Sequence, residues 1–565
     1  MRACYWMLLL VVTPALAQPW PGGPLQPAEF PLGYWCGPPA KYNTLASWQQ
    51  IKDCNFTWAM SGGYDVAGNK QMLDFCRQIG LKAMVLDGRL TWQMTMGDKW
   101  RDAIHQMVVD YGSHPAMYGY FIQDEPSYAN FRALGQISQE LQKQDPRHLP
   151  YINLLPTYAT PEQLGTPTYD DYLDKFLSIV KPAILSWDHY CLRAGGSDGP
   201  EYFENLEKIR EHSLSSGVPG WNIIQAMSYD PAMRQPSDAE MRWQVFTSLA
   251  YGIKGIMYFI YWSYNDKPAE VGIVDNLGRP AKLFAPVRQL NGEMKNLGKI
   301  LLGLTSTGVY HTGQIPIGAM RLGNAEALRL PDDKPLVVGF FKARQGPDQY
   351  AMIVNNDHNK PVDFAVTLKE HVVGLTEISA RDMSEMPAKI VDHQVALHLE
   401  PGDGKLFRLT TSFAYPEPPA LVTKVDFQFN KDGDIEGWGE QNSLTDLTVQ
   451  GGILTMTFAG ADPYICREWL SLTPDQYTKI KVRMKLPKCD PNAQFFWTTS
   501  DEPTFADNKY LGFPVQPDGQ WHEYKIPVGT HAKWKGKAIR GIRLDPTTGN
   551  AAPGSKVEVD WIKGE

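Results

Sequence analysis

The 565-residue chain has no internal apolar run near the ~20 residues that a membrane-spanning helix needs, which argues against a membrane span. It has no basic stripe: 54 Lys and Arg against 62 Asp and Glu leave a formal charge of -8, a balance that argues against a nucleic-acid surface. No G-x-G-x-x-G or Walker loop follows the first apolar run, so the fingerprints of dinucleotide and nucleoside-triphosphate sites are missing. None of the seven cysteines has the C-x-x-C spacing of a zinc site.

Aromatic residues are what the chain has in quantity. Its 17 Trp and 26 Tyr are amphipathic rings that suit β-sandwich cores and, equally, stacking on the apolar faces of sugars. With 43% hydrophobic and 21% charged residues the composition is that of a globular protein, and the length predicts about three domains. Arg2, the apolar run WMLLLVV and Ala15-Leu16-Ala17 have the pattern of a cleavable signal peptide over residues 1–17. A mature chain that begins near Gln18 and is secreted or periplasmic is expected. That compartment permits disulfides, and the local pairs Cys54 with Cys76 and Cys466 with Cys489 compete with free buried thiols.

Between Phe30 and about Leu304 eight apolar runs alternate with amphipathic stretches: Leu32–Gly37, Phe56–Ser61, Lys82–Leu90, Met117–Glu125, Pro150–Pro156, Ala183–Tyr190, Trp221–Tyr229 and Gly255–Trp262. Continuous apolarity marks parallel strands buried on both faces. After the fourth run, Phe131, Leu134, Ile137 and Leu141 recur with helical spacing, and after the seventh Ser237 and Glu240 form an S-x-x-E capping box. Eight β-then-α units predict a (β/α)8 barrel over residues 18–307. In that fold the C-terminal ends of the strands deliver side chains to one mouth. Asp87 and Arg89 close the third strand, Asp124 and Glu125 the fourth, and Asp188, His189 and Tyr190 the sixth, while Gln225 lies on the seventh and Tyr261 and Trp262 end the eighth. Trp35 and Tyr258 join them as candidate substrate contacts, or as the roof of the barrel. Asp275 reads as a turn residue in the loop after the eighth strand.

Residues 308–413 show short strands between Gly, Pro and Asn turns, a β-sandwich without a catalytic constellation. A Pro-rich stretch at 414–424 reads as a linker. Residues 425–565 again have only strand-like runs and read as a jelly roll. There Asp432, Asp434 and Asp560 are hard oxygen ligands, a candidate set for a structural Ca2+ that competes with plain Asp-Gly turns. Trp438, Trp497, Trp521 and Trp534 are candidates for a sugar-stacking face, or for the core.

The ending F-I-Q-D-E-P on the fourth run resembles the clan A (β/α)8 glycoside hydrolases, in which the fourth strand commonly ends Asn-Glu-Pro with the Glu as general acid/base. The resemblance covers the barrel. It places Glu125 as acid/base and Asp124 in the Asn position, sets His189 and Tyr190 beside the nucleophile and Trp262 as a sugar platform, and offers Arg89 as a donor to a substrate hydroxyl or carboxylate. It implies hydrolysis of a poly- or oligosaccharide without a cofactor. The last segment, with FQFNKDGDIEGW at its start and VEVDWI at its end, resembles galactose-binding-like carbohydrate modules, in which first and last strands pair. Asp-Glu-Pro is also a good helix start.

One departure stands out. The clan's nucleophile is a Glu at the end of strand seven, where WNIIQAMSY offers only Gln225. An amide cannot form a glycosyl ester, so Asp188 is the candidate second carboxylate, and strands four and six are far enough apart to favour the wider spacing of an inverting enzyme. The rival reading of the same departure is a glycan-binding protein that has lost catalysis.

Overall fold

The computed structural model describes residues 29–97, 99–267, 270–323, 326–411, 422–500, 502 and 504–565. The predicted signal peptide and most of the predicted linker lie outside them. All eight apolar runs form strands: β1 (Leu32–Tyr34), β2 (Trp58–Met60), β3 (Lys82–Leu86), β4 (Met117–Asp124), β5 (Leu149–Leu154), β6 (Leu185–Asp188), β7 (Gly220–Gln225) and β8 (Gly255–Phe259). Each pairs in parallel with its neighbour in the order β1-β8-β7-β6-β5-β4-β3-β2. The ring closes between β1 and the start of β2: the Thr57 amide donates to the Leu32 carbonyl at 3.0 Å, and the Leu32 amide to Thr57 Oγ1 at 2.8 Å.

Among the described residues nine helices wrap this (β/α)8 barrel: α1 (Leu45–Asp53), α2 (Val66–Gln78), α3 (Trp100–Tyr111), α4 (Phe131–Gln144), α5 (Pro161–Leu164), α6 (Tyr169–Val180), α7 (Tyr202–Ser216), α8 (Asp238–Ala250) and α9 (Phe284–Leu301). The expected stripe of Phe131, Leu134, Ile137 and Leu141 is the buried face of α4, and Ser237 with Glu240 forms the capping box of α8. Inside the barrel, Trp58 stacks on Tyr118 at 5.4 Å and meets the Trp221 ring at a tilt at 6.0 Å, with Tyr151 6.5 Å from Trp221. These rings fill the interior below the mouth, so that chemistry is confined to the strand ends above them. Among the described residues no helix is long and apolar enough to cross a membrane.

The two suggested disulfides are not formed among the described residues: neither Cys54 with Cys76 nor Cys466 with Cys489 is bridged. Cys54 and Cys76 are buried in the packing of the barrel and its helices, and Cys54 turns its Sγ towards the Phe284 carbonyl. A core of this size needs no staple.

A seven-stranded sheet running from Leu304–His311 to Gly404–Thr411 and a three-stranded sheet share a second core. This sandwich sits on α8. Trp243 Nε1 donates to Asn356 Oδ1 at 2.8 Å, and Gly339 lies so close that a Cβ there would meet the Ala250 carbonyl oxygen at 2.0 Å. Gly339→Ala is therefore expected to push the sandwich off α8 at a cost of about 1–3 kcal/mol, read as a lower melting temperature in calorimetry.

The last segment packs a six-stranded against a five-stranded antiparallel sheet, and its first strand, Asp426–Phe427, pairs with its last, Lys556–Gly564. Trp438, Trp497 and Trp534 are core residues of this domain, not a sugar face; Trp521 is half-buried beneath the Arg483 guanidinium. The three aspartates suggested for Ca2+ are also engaged elsewhere. Asp432 accepts the Gly451 amide at 2.7 Å, Asp434 the Glu436 amide at 3.0 Å, and Asp560 pairs with Arg483. Among the described residues no group of three His, Cys, Asp or Glu side chains is arranged to hold a metal ion. The Asp-Gly pattern here serves turns. Arg540 reaches back to Glu211 on α7 at 2.6 Å and ties this domain to the barrel.

Candidate active site

The end of β4 is shaped by two irregularities. A bulge between Phe121 and Gln123 shifts its register on β5, and Glu125 adopts a left-handed backbone with φ 42°. That conformation is unfavourable for a residue with a Cβ, by about 1–2 kcal/mol, and its neighbours hold it: the Glu125 amide donates to the Asn153 carbonyl at 2.9 Å. Simple alternation would point adjacent side chains to opposite sides of the strand. Here both carboxyls stay at the mouth.

Asn153, on β5, is the hinge of the acidic group. Its Nδ2 donates to Asp124 Oδ1 and to Asp188 Oδ1, each at 3.1 Å, and its Oδ1 accepts from Ser186 Oγ, which in turn meets Tyr151 Oη at 2.8 Å. Asp188, at the end of β6, is only 2% exposed and also receives a hydrogen bond from Tyr190. Glu125 and Asp188 hydrogen-bond to each other, which requires that one of the two carry a proton. The separation of about 6.5–9.5 Å expected for an inverting pair is thus not found, because the turn at Glu125 brings its carboxyl across to β6.

Burial and mutual repulsion hold protons on this group. Asp188 is pushed well above the usual carboxylate range by burial, then by the charges of Glu125 and Asp124. Asp124 rises to about 7, chiefly through desolvation, which outweighs the hydrogen bond from Asn153. Glu125 is also raised by desolvation. Both Asp124 and Glu125 nevertheless open to solvent. The two facts agree if the carboxyls stand in a concave mouth that admits water molecules but is walled by protein.

Aromatic side chains form that wall. Tyr158 and Tyr229, each 37% exposed, and Tyr264, 58% exposed, follow β5, β7 and β8. Tyr190 meets Tyr229 at 5.4 Å and Phe259 at 4.9 Å, and half-buried Trp35 sets its ring against Phe121 at 5.3 Å. Tyr158, Tyr229, Tyr264 and Asn153 were not singled out from sequence. A lone Asn inside the buried run YINLL was the available signal for Asn153, and a tyrosine within a few residues of each strand end was the signal for the others.

Several predicted contacts face elsewhere. Asp87 binds Arg89 at 2.6 Å and Tyr111 on α3 at 2.7 Å, and Arg89 also pairs with Asp110 at 3.0 Å, so both residues knit β3 to the helical layer. Tyr258 donates to Asn291 on α9 and Tyr261 to Gln50 on α1, outside the barrel. Trp262 is buried at 3% exposure against Gly278 and donates to the Asn276 carbonyl, so it offers no platform. His189 points to Asn205 on α7 at 2.9 Å, and burial lowers its pKa to about 4, leaving it neutral. Asp275 accepts the amides of Leu277 and Arg279, as a turn residue does.

Gln225 occupies the end of β7, fully buried. Its Oε1 accepts the Leu192 amide at 3.0 Å, and its Nε2 faces the carbonyls of Leu192, Met227 and Arg234 at 3.3, 3.2 and 2.9 Å. This side chain pins two mouth loops together and has no polar atom left for a substrate. Gln225→Glu would aim a carboxylate at three carbonyl oxygens. It is expected to cost on the order of 3 kcal/mol in denaturant melts and to yield no gain in glycan hydrolysis.

Fold and site together define a (β/α)8 barrel with three neighbouring carboxyls at its mouth, two of them in direct contact. No protein-family model and no curated protein matches the chain. Among solved structures it is similar to a glycoside hydrolase family 5 structure from Bacteroides vulgatus, at 12% identity over 69% of this chain and 92% of that one, with a TM-score of 0.44. A GH42 β-galactosidase from G. stearothermophilus gives 9% identity over 68% of this chain and 98% of that one, with a TM-score of 0.44. A β-galactosidase from Marinomonas ef1 gives 12% identity and a TM-score of 0.38, over 48% of this chain and 62% of that one.

Proposed function

We propose that the protein is an exported glycoside hydrolase that cleaves O-glycosidic bonds in a poly- or oligosaccharide, with Glu125 as the general acid. The observation that carries this reading is the contact between Glu125 and Asp188 beside Asp124, three carboxyls each raised above the ordinary carboxylate range at the open end of a barrel. A general acid must hold its proton at working pH and must reach the bond it cleaves. Desolvation raises Glu125 against the lowering effect of its bond with Asp188, and the side chain is open to solvent, which supports both needs. The exposed tyrosines around it suit the faces of sugar rings.

Asp188 is the partner carboxylate. Its contact with Glu125 leaves no water between them, which supports direct stabilisation of the cationic sugar by Asp188 over activation of a water. The pair shares one proton, and in the acid role it would sit on Glu125 once substrate is bound, with the glycosidic oxygen taking the place of Asp188 as its partner. This chemistry uses side chains alone and invokes no cofactor. The leader-like N-terminus supports export, and the jelly roll is assigned glycan capture by its resemblance alone.

The test is release of reducing ends from a panel of polysaccharides and oligosaccharides, with NMR identifying the anomer formed first. The locked Gln225 favours a second reading, a glycan-binding protein without turnover. Calorimetric binding without any release of product would establish that reading in place of the first.

A further inference from the structure

Among the described residues four arginines lie in the loops that follow the barrel strands, Arg89, Arg193, Arg234 and Arg279, and their partners differ; Arg279 pairs with Asp275 at 2.6 Å. Arg89 is consumed by Asp87 and Asp110. Arg234 pairs with Asp198 at 2.5 Å and Glu240 at 2.6 Å, and donates to the carbonyls of Arg193 and Ser197. Arg193 has no carboxylate within 4.0 Å among the described residues; its guanidinium lies 5.4 Å from the centre of the Tyr158 ring.

The backbone of Arg193 is held firmly while its side chain is not. Its amide donates to the Ser197 carbonyl at 3.0 Å, its carbonyl accepts from Arg234, and it bridges Met233 in the loop after β7. The residue is thus fixed in the loop after β6, beside Tyr158, whose ring meets His189 at 4.9 Å next to Asp188. Burial raises the pKa of both Tyr158 and Tyr229, and the positive charge of Arg193 opposes that rise at each ring. His189 beside Asp188 is kept neutral by burial and turns to Asn205, and the ionisable groups that act on Asp188 are the carboxyls of Glu125 and Asp124 and the phenol of Tyr190. An arginine set over a ring with its fork of donors open is prepared for a planar or tetrahedral oxyanion.

We infer that Arg193 recognises an anionic substituent, a carboxylate or a sulfate, on the sugar bound against Tyr158 and Tyr229, so that the substrate is an acidic glycan. This rests on the glycosidase reading of the mouth and narrows it to a substrate class. A neutral sugar would leave the guanidinium unanswered, whereas an anion gains charge-assisted hydrogen bonds with a donor already anchored through its backbone.

The experiment uses the full chain carrying Glu125→Gln, to prevent turnover, with and without Arg193→Gln. Binding is measured calorimetrically for oligouronides, for the same oligosaccharides after carboxyl reduction, and for sulfated oligosaccharides before and after desulfation. Tighter binding of an acidic member than of its neutralised counterpart, by roughly ten- to hundredfold, is expected, and Arg193→Gln should abolish the difference. The uronide and sulfate arms identify which anion is read. Arg193 makes no side-chain ion pair, so a melting temperature unchanged by the substitution is the control for folding. Equal binding of acidic and neutral members, discrimination that survives Arg193→Gln, or no binding to any acidic member overturns the inference. Glu125-dependent cleavage of a neutral glycan by the wild type, without preference for acidic ones, would remove it and leave the glycosidase reading in place.

Discussion

Glu125→Gln is expected to lower hydrolysis by about 10²- to 10⁴-fold, the range that a positioned proton donor contributes. The amide keeps the shape of the side chain and its contact with Asp188 but cannot deliver a proton to the leaving oxygen. Substrate affinity should change little, so the loss should fall on kcat. A variant that kept wild-type turnover would remove Glu125 from the acid role, and with it the central claim about the site. The melting temperature is expected to hold or rise, since one of three mutually repelling carboxyls has been neutralised.

Asp188→Asn should move activity and stability in opposite directions. Removing the carboxylate that faces the cationic sugar is expected to lower turnover by about 10²-fold or more. The stability argument follows from proton linkage. Asp124, Glu125 and Asp188 all have folded-state pKa values above those of exposed carboxyls, which lie near 4, and Asp124 stands at about 7. Above pH 4 the folded chain therefore holds protons that the unfolded chain has released, and stability falls as the pH rises through 7. Asp188→Asn takes the most deeply buried of the three out of this balance. The variant should melt a few degrees higher than wild type at pH 8, with a smaller difference at pH 5. Its alkaline limb of kcat/KM should also shift to lower pH, because Glu125 loses the neighbour that shares its proton. An unchanged limb together with an unchanged melting temperature would show that the two carboxyls do not titrate as a pair.

The barrel was legible because its signal is collective: eight buried strands must each read as a continuous apolar run, and a helix must fit between every two. The mouth was legible only in part. Glu125, Asp124 and Asp188 were found because strand ends in this fold converge. The direction of a side chain beyond the strand end, however, depends on a single backbone dihedral. At Glu125 a left-handed turn kept the carboxyl in the mouth. At Asp87 and Arg89 the chain turned outward to α3, and at Tyr258 and, past the strand end, Tyr261 the rings lie against α9 and α1. Nothing in a run such as KAMVLDGRL distinguishes these outcomes. Gln225 shows a different limit, since its polar atoms are satisfied by backbone groups whose arrival depends on the folding of two distant loops.

The docking of the sandwich on α8 bears on how such a protein can change over evolutionary time. Gln244 of α8 bonds both backbone groups of Gln225 at the end of β7, and Trp243, the preceding residue, bonds Asn356 of the sandwich. Nearby, buried Lys254 spends its ammonium on the carbonyls of Leu301 and Leu304, at the junction where barrel passes into sandwich. One helix therefore serves a barrel strand and a supporting domain at once. The barrel and sandwich form a single heritable cassette, and recombination that exchanges accessory modules has its workable seam after residue 411, beyond the sandwich, not at the end of the barrel.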